Sequence, residues 1–473
     1  MFPTIGDRPS VWESRLPAEL LRLPEELARV DALLDDPAFF APFAPYFHPV
    51  LGRPSTPIEC YLRLMFLKFR YRLGFESLCA EVSDSISWRR FCRIPLDAKV
   101  PHPTTLVKLT ARCGSAAVAG LNEALLARAA GGRLLRASRL RADTTVVPAN
   151  VSYPTDSGLL ARAVRRIAAV GRRVRAAGGA TRTRVRDRSR AAGRRAHAIA
   201  VRLSSRAARD DKQAAVLRMT AELAGLAECT ACEARRLLAN ARRALRRADA
   251  KAAAGLADAA AGRRRGRLRR AVSDLALLLE ATVQVAAQTR QRLAGTMPPG
   301  AARRVSLHDP DARPIAKGRL GRPVEFGYKA QVTDNDDGIV VDYALQRGNP
   351  ADGPQLAPAI GRVIARTGRT PRTVTADRSY GVQAVEDGLH ALGVRHVVIP
   401  RKGRPGKARQ AAERRPAFRR AVKWRTGCEG RISTLKRQYG WDRTRLDGTE
   451  GARTWAGYGV LTHNLVKVST LAS

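Results

Sequence analysis

The chain has 473 residues, enough for roughly two to four domains of ordinary size, and its 45% apolar content excludes disorder throughout. Its 85 basic residues against 42 acidic ones give a net charge of +43, which in a folded chain points to a polyanionic partner, nucleic acid ahead of an anionic membrane surface. No uninterrupted apolar run reaches about eighteen residues, so no membrane span is expected; the start MFPTIGDRPSVWESR lacks a secretory layout, and seven scattered cysteines make no disulfide framework, so the expected location is cytoplasmic and nucleoid-associated.

The first stretch, residues 1–132, reads as helical. From Pro57 apolar residues recur at helical spacing (Leu62, Met65, Phe66, Phe69), with Arg63, Lys68, Arg70 and Arg72 among them. Gly74 breaks this helix, a second follows over Phe75 to Val82, and Ser83 or Asp84 is placed to cap a third near Trp88. Short basic helices joined by tight turns suit a helical DNA-binding domain, with Arg63, Lys68 and Arg70 as its candidate DNA contacts.

A strand is expected at SRLRADTTVV (138–147), within residues 133–157. Then residues 158–304 become almost pure Ala, Arg and Leu, which favour long helices. Positions 161 to 300 alone carry 33 basic and 10 acidic residues, a net +23. An antiparallel helical hairpin with a solvated Arg face is one reading; a surface for DNA phosphate is the other, and the size of the charge favours it. Cys229 and Cys232 form one CxxC, but with no second pair and no nearby His they read as small residues on a helix.

From residue 305 to 473 strands and helices alternate. VEFGYKAQV (324–332) has strict period two, and after the turn TDNDDG the segment IVVDYAL (339–345) repeats it, which predicts an antiparallel hairpin. A helix (355–365), a strand (372–377), a helix (382–392), a strand (394–400), a basic loop and a helix from about Trp424 to Gln438 follow.

Two acids end predicted strands, Asp143 in RADTT and Asp377 in TADRSY, where ligands collect in open α/β sheets. A third, Glu429, shares one helical face with Arg425 four residues before it and Lys436 seven after. If the three acids converge, carboxylates at ~4 Å repel by about 4 kcal/mol at an effective dielectric near 20, and a divalent ion relieves that. Oxygen ligands without His or Cys suit Mg²⁺ or Mn²⁺, and a pair of such ions serves phosphoryl transfer. Among the other acids, Asp156 reads as a helix N-cap, Asp334, Asp336 and Asp337 as turn residues, and Asp309 and Asp311 as a loop able to line the site. Tyr380 reads equally as a substrate-positioning or a packing aromatic.

The order of elements, with Arg425-x3-Glu429-x6-Lys436, resembles the ribonuclease H-like core of DDE transposases of bacterial insertion sequences. Asn150 to Asp156, Gly327-Tyr-Lys329, Gly348-Asn-Pro350 and Leu461-Thr-His-Asn464-Leu are similar too, and residues 48–114 resemble the helical domain that precedes such cores. The resemblance implies an α/β fold: a ribonuclease H-like mixed sheet core, an all-α N-terminal domain and a long helical insertion after the first core strand. It also implies metal-dependent cleavage at element ends and transfer of the 3′-OH into target DNA. Asp143, Asp377 and Glu429 would hold two ions, Arg425 and Lys436 would contact flanking phosphates, and the partner would be double-stranded DNA bound by a homodimer. A silent DNA-binding derivative, either a repressor or a nucleoid component, is the alternative, and retention of all three acids argues against it. A plain nuclease would release 3′-OH ends without joining them.

Overall fold

The computed structural model describes residues 13–48, 51–52, 54–206, 209–256, 258–319 and 322–472. Most of the N-terminal stretch read for a secretory signal lies outside these described residues. The chain divides into two compact units, one made of Met1–Asn150 with Gly327–Ser473 and the other of Val151–Phe326.

The first unit begins with helices α1 (Ala18–Leu21), α2 (Glu25–Leu34), α3 (Ile58–Arg70), α4 (Phe75–Asp84), α5 (Ile86–Phe91) and α6 (Pro103–Gly131). The cap of α5 is Ser85, one or two residues later than expected, and its Oγ accepts from the Trp88 amide at 3.2 Å. Helix α3 buries twelve of its thirteen residues, because apolar side chains go all the way round it rather than along one stripe. Arg63 and Lys68 therefore sit inside the fold, against the expectation that they face DNA, and Arg70 is half-buried. Arg63 is wholly buried and donates to Asp31 and Asp35, each at 2.6 Å. Lys68 donates to the Leu73 carbonyl at 2.8 Å and lies over the Phe75 and Trp455 rings. Arg70 forms a two-pronged pair with Glu26 at 2.7 and 3.0 Å.

The second unit holds α7 (Asp156–Ala176), α8 (Ser189–Ser204), α9 (Arg209–Ala253) and α10 (Ala259–Leu293), packed through Leu and Ala, and then β2 (Arg313–Arg319). Asp156 is the first residue of α7, not its cap: Thr155 caps it, with Oγ1 accepting from the Gly158 amide at 3.1 Å. Asp156 instead accepts from Gln288 and Arg292 of α10, a use for a carboxylate that a buried helix start makes available. Asp309 closes a turn by accepting the amides of Asp311 and Ala312, both at 3.1 Å. Cys229 and Cys232 lie exposed on α9.

The sheet is mixed. Its six strands are β1 (Arg139–Pro148), β2, β3 (Arg322–Asp334), β4 (Val340–Arg347), β5 (Thr373–Thr375) and β6 (His396–Val398), in the order β2-β3-β1-β5-β6 with β4 also on β3. Strand β1 runs antiparallel to β3 and parallel to β5, and β5 is parallel to β6. Helices α11 (Leu356–Thr367) and α12 (Gln383–Ala391) connect the later strands. The expected basic loop after β6 is largely helical: α13 spans Lys407–Arg414, and α14 (Pro416–Gln438) starts eight residues before Trp424 because Pro416 suits the first helical turn.

The last helix, α15 (Gly448–Leu471), joins the N-terminal helices to the sheet. A methyl group at Gly457 would lie 2.6 Å from Val118 of α6 and 2.7 Å from the Tyr343 hydroxyl of β4, so only glycine lets the helix pass between them. Asn464 donates to and accepts from the backbone of Val340, at 2.8 and 3.0 Å, and satisfies both groups where the sheet's edge meets the helix. His463 Nε2 bonds the Gly338 carbonyl in the hairpin turn at 3.0 Å. The Thr-His-Asn stretch thus staples β4 to the helical layer.

Candidate active site

Asp143 and Asp377 come together through strand register. Arg141 of β1 is paired in parallel with Thr375 of β5, and each acid lies two residues beyond its member of that pair. A strand turns successive side chains to opposite faces, so both acids follow their strands onto one side at one height, with neighbouring strands about 4.8 Å apart. Asp377 then caps a short 3-10 helix, Arg378–Tyr380, by accepting from the Ser379 amide at 2.8 Å. That cap fixes where the strand ends and where this carboxylate stands. Tyr380 is buried, and its hydroxyl donates to Gln331 of β3 at 3.2 Å, which anchors the turn from behind.

Helix α14 brings Glu429. Arg141 holds that helix against the sheet: its guanidinium forms a two-pronged pair with the buried Asp334 at 2.7 and 3.0 Å and donates to the Trp424 carbonyl at 3.0 Å. The Trp424 ring lies beneath Arg141 and Arg139, at 4.7 and 4.4 Å from their guanidinium carbons. A methyl group at Gly427 would stand 2.0 Å from Arg141 Nη1, so glycine is what lets the helix come this close. Asp334 is therefore a buried anchor and not a turn residue; the sequence signal for it was Arg141, an arginine on a buried strand that needs an acid to meet it.

With α14 seated, Arg425 spans two of the acids. Its Nη1 lies 3.1 Å from Asp143 Oδ2, and its Nη2 lies 2.8 Å from Glu429 Oε1. Asp143 also accepts from the Thr144 amide at 2.8 Å. Burial pushes the Asp143 carboxyl up to about 6; Arg425 and the Thr144 amide pull it down, while the charges of Asp377 and Glu429 raise it further. Glu429 is exposed and Asp377 half-buried, so one protected acid and two accessible ones share the site. Lys436 sits farther along α14, roughly 10 Å from Glu429 at 1.5 Å per residue, and is half-buried. Arg63, Lys68 and Arg70 belong to α3 and take no part.

Among the described residues no three acidic, His or Cys side chains lie close enough to hold an ion in common. The donor set nonetheless fits a hard divalent cation, because it consists of carboxylates alone and already draws a positive guanidinium between two of them.

Residues 15–112 match the family described as Transposase domain (DUF772), and residues 296–465 match the one described as Transposase DDE domain; the two together take in more than half of the chain. The second match includes Asp377, Glu429 and Arg425 but not Asp143, which the long helical segment separates from them. No curated protein and no solved structure matches the chain.

Proposed function

Because the chain belongs to the DDE transposases of insertion sequences, enzymes that act on DNA with a divalent metal, we propose that it cuts the phosphodiester at the ends of its element and joins the freed 3′-OH to target DNA. The observation that carries this reading is Arg425, paired at once with Asp143 and Glu429 while Asp377 stands just past the end of the adjoining strand. The strand order, a central β1 with antiparallel β3 on one side and parallel β5 on the other, supports a ribonuclease H-like core.

In this proposal Asp143, Asp377 and Glu429 hold Mg²⁺ or Mn²⁺, as two ions. Bound there, the metal supplies activation of the attacking oxygen and charge stabilisation at the leaving one. The protein's own groups do the rest. Asp143, in the middle of β1 and not at its end as expected, is the most buried of the three acids. Arg425 turns from the acids to a phosphate oxygen, which its planar fork suits, and Lys436 contacts the next backbone segment as a point charge. Tyr380 and Gln331 keep the Asp377 turn from shifting. The first 132 residues serve end recognition, in line with the match over residues 15–112.

The test uses duplexes carrying the element's ends. Asp377→Asn and Glu429→Gln should each lower Mg²⁺-dependent nicking by more than about 100-fold, the equivalent of several kcal/mol of transition-state stabilisation, with duplex binding retained. A variant that nicks like the native protein removes its residue from the site. Release of 3′-OH ends with no joined product would support a nuclease instead of a transposase.

A further inference from the structure

Residues 161–206 of the helical segment carry 15 Arg against one Asp, and within α9 and α10 the excess of positive charge is gathered at one end. Helices α9 and α10 form an antiparallel hairpin: Glu228 meets Arg290, and Asp249, 21 residues on, meets Arg269, 21 residues back. Residues 242–270, which make the turn end of that hairpin, carry ten Arg and one Lys against two Asp. The rest of the two helices differs sharply. Residues 209–241 together with 271–293 hold seven basic and seven acidic residues, and four of those acids, Glu222, Glu228, Glu233 and Asp274, pair with arginines.

Core packing does not account for the turn end. Its apolar contribution to the interior is small: Leu268 is buried, Ala244 and Leu245 are partly buried against the core, and no other side chain described between Ala241 and Leu268 packs there. Nine of its ten arginines are exposed, and Arg265 is half-buried. They also repeat on single faces: Arg242 with Arg246, Arg243 with Arg247, and Arg263 with Arg267 and Arg270. Like charges four apart weaken a helix, so this arrangement works against the hairpin's own stability. Of the two acids, Asp249 pairs with Arg265 and Arg269, and Asp258 caps α10. A local excess of this size, on a surface with no structural use for it, calls for an external polyanion.

The composition narrows the class. Residues 242–270 contain no aromatic side chain, so the stacking platforms that hold single strands are missing. Among the described residues Leu256 is the only large apolar one exposed there, and a membrane-surface helix needs a full apolar face. Exposed guanidinium groups matched to phosphate oxygens remain. We propose that the turn end of the α9–α10 hairpin is a sequence-independent binding surface for the backbone of duplex DNA, an inference that rests on the reading of the chain as a DNA-acting transposase.

The full-length protein with Arg242, Arg243, Arg246, Arg247, Arg263, Arg264, Arg267 and Arg270 all changed to Gln is titrated with random-sequence duplex over a salt series. Each lost phosphate contact flattens the slope of log K against log salt by about 0.9, so four lost contacts flatten it by about 3.6. The melting temperature should hold or rise as like-charge pairs disappear. The control Arg195→Gln with Arg290→Gln should leave the slope unchanged. If the eightfold variant fails to fold, the four changes on α9 alone should give about half the effect. An unchanged slope, equal flattening by the control, or loss of binding to anionic vesicles with duplex binding intact each overturns the inference. Native protein that shows the tip-dependent slope but never nicks DNA would retain this surface and remove the transposase reading, whereas native protein that nicks while the variant keeps its slope removes this surface alone.

Discussion

Arg425 Nη1 stands 3.1 Å from Asp143 Oδ2, a contact between residues 282 positions apart that puts a cation of α14 against the buried acid of β1. The guanidinium offsets only part of the desolvation, since the carboxyl stays raised from its ordinary 3.8 to about 6. Between those pH values the folded chain keeps a proton that the unfolded chain has released. The stability this confers is complete below about pH 4 and lost as pH rises through 6, a loss of about 3 kcal/mol at 1.36 kcal/mol per unit. In metal-free buffer Asp143→Asn should therefore gain stability over the native protein between about pH 4 and 7, measured by urea unfolding. Parallel stability curves would show that burial places no cost on the charged acid.

His463 predicts the opposite slope. Burial pushes its imidazole down to about 3, with the Arg431 charge acting the same way and the bond to the Gly338 carbonyl opposing. Its Nδ1 is buried with no hydrogen-bond partner in the structure, so a second proton has nothing to meet. The unfolded chain takes up that proton near 6.5 and the folded chain does not. Stability is full above 6.5 and falls as pH drops toward 3, by about 2 kcal/mol over the first one and a half units. Denaturant unfolding of His463→Gln should lose this acid-side decline; an undiminished decline would assign it to other groups.

Arg63 separates a structural cation from a DNA contact. Removing it by Arg63→Met leaves Asp31 and Asp35 facing each other with Arg93 as the remaining cation. The expected cost is about 2 to 3 kcal/mol, below that for a fully enclosed pair because Asp35 is about half exposed. Duplex affinity measured on the folded fraction should not change. A normal melting temperature with weakened DNA binding would restore the reading of α3 as a DNA-facing helix.

Gly427→Ala tests how α14 is seated. The added methyl group meets a guanidinium that Asp334 holds in place, so the helix must move and Arg425 and Glu429 move with it. Overpacking of this kind costs about 1 to 3 kcal/mol. Nicking should fall with the melting temperature, whereas Gly430→Ala, where a methyl group finds open space inside the same helix, should keep nicking and hold stability or raise it by up to about 1 kcal/mol. A gain in stability for Gly427→Ala as well would show that helix propensity outweighs the Arg141 contact.

Local periodicity was enough to mark β1, the β3-β4 hairpin and the late helix, because alternation and helical spacing are properties of neighbouring residues. The same locality put Arg425 and Glu429 on one face, and the order of the acids along the chain supported the family. Where a cation points is not local. Arg63 and Arg425 both follow helical spacing among mixed neighbours, yet one is enclosed beside Asp31 and Asp35 while the other reaches a site, and only the packing around each helix separates them. Asp334 looked like one more turn acid because its partner Arg141 lies 193 residues away. Pairings of that kind depend on which strands become neighbours and in what register, here Arg141 beside Thr375. Tertiary structure alone decided them, since contacts across such separations form only once the whole sheet has closed.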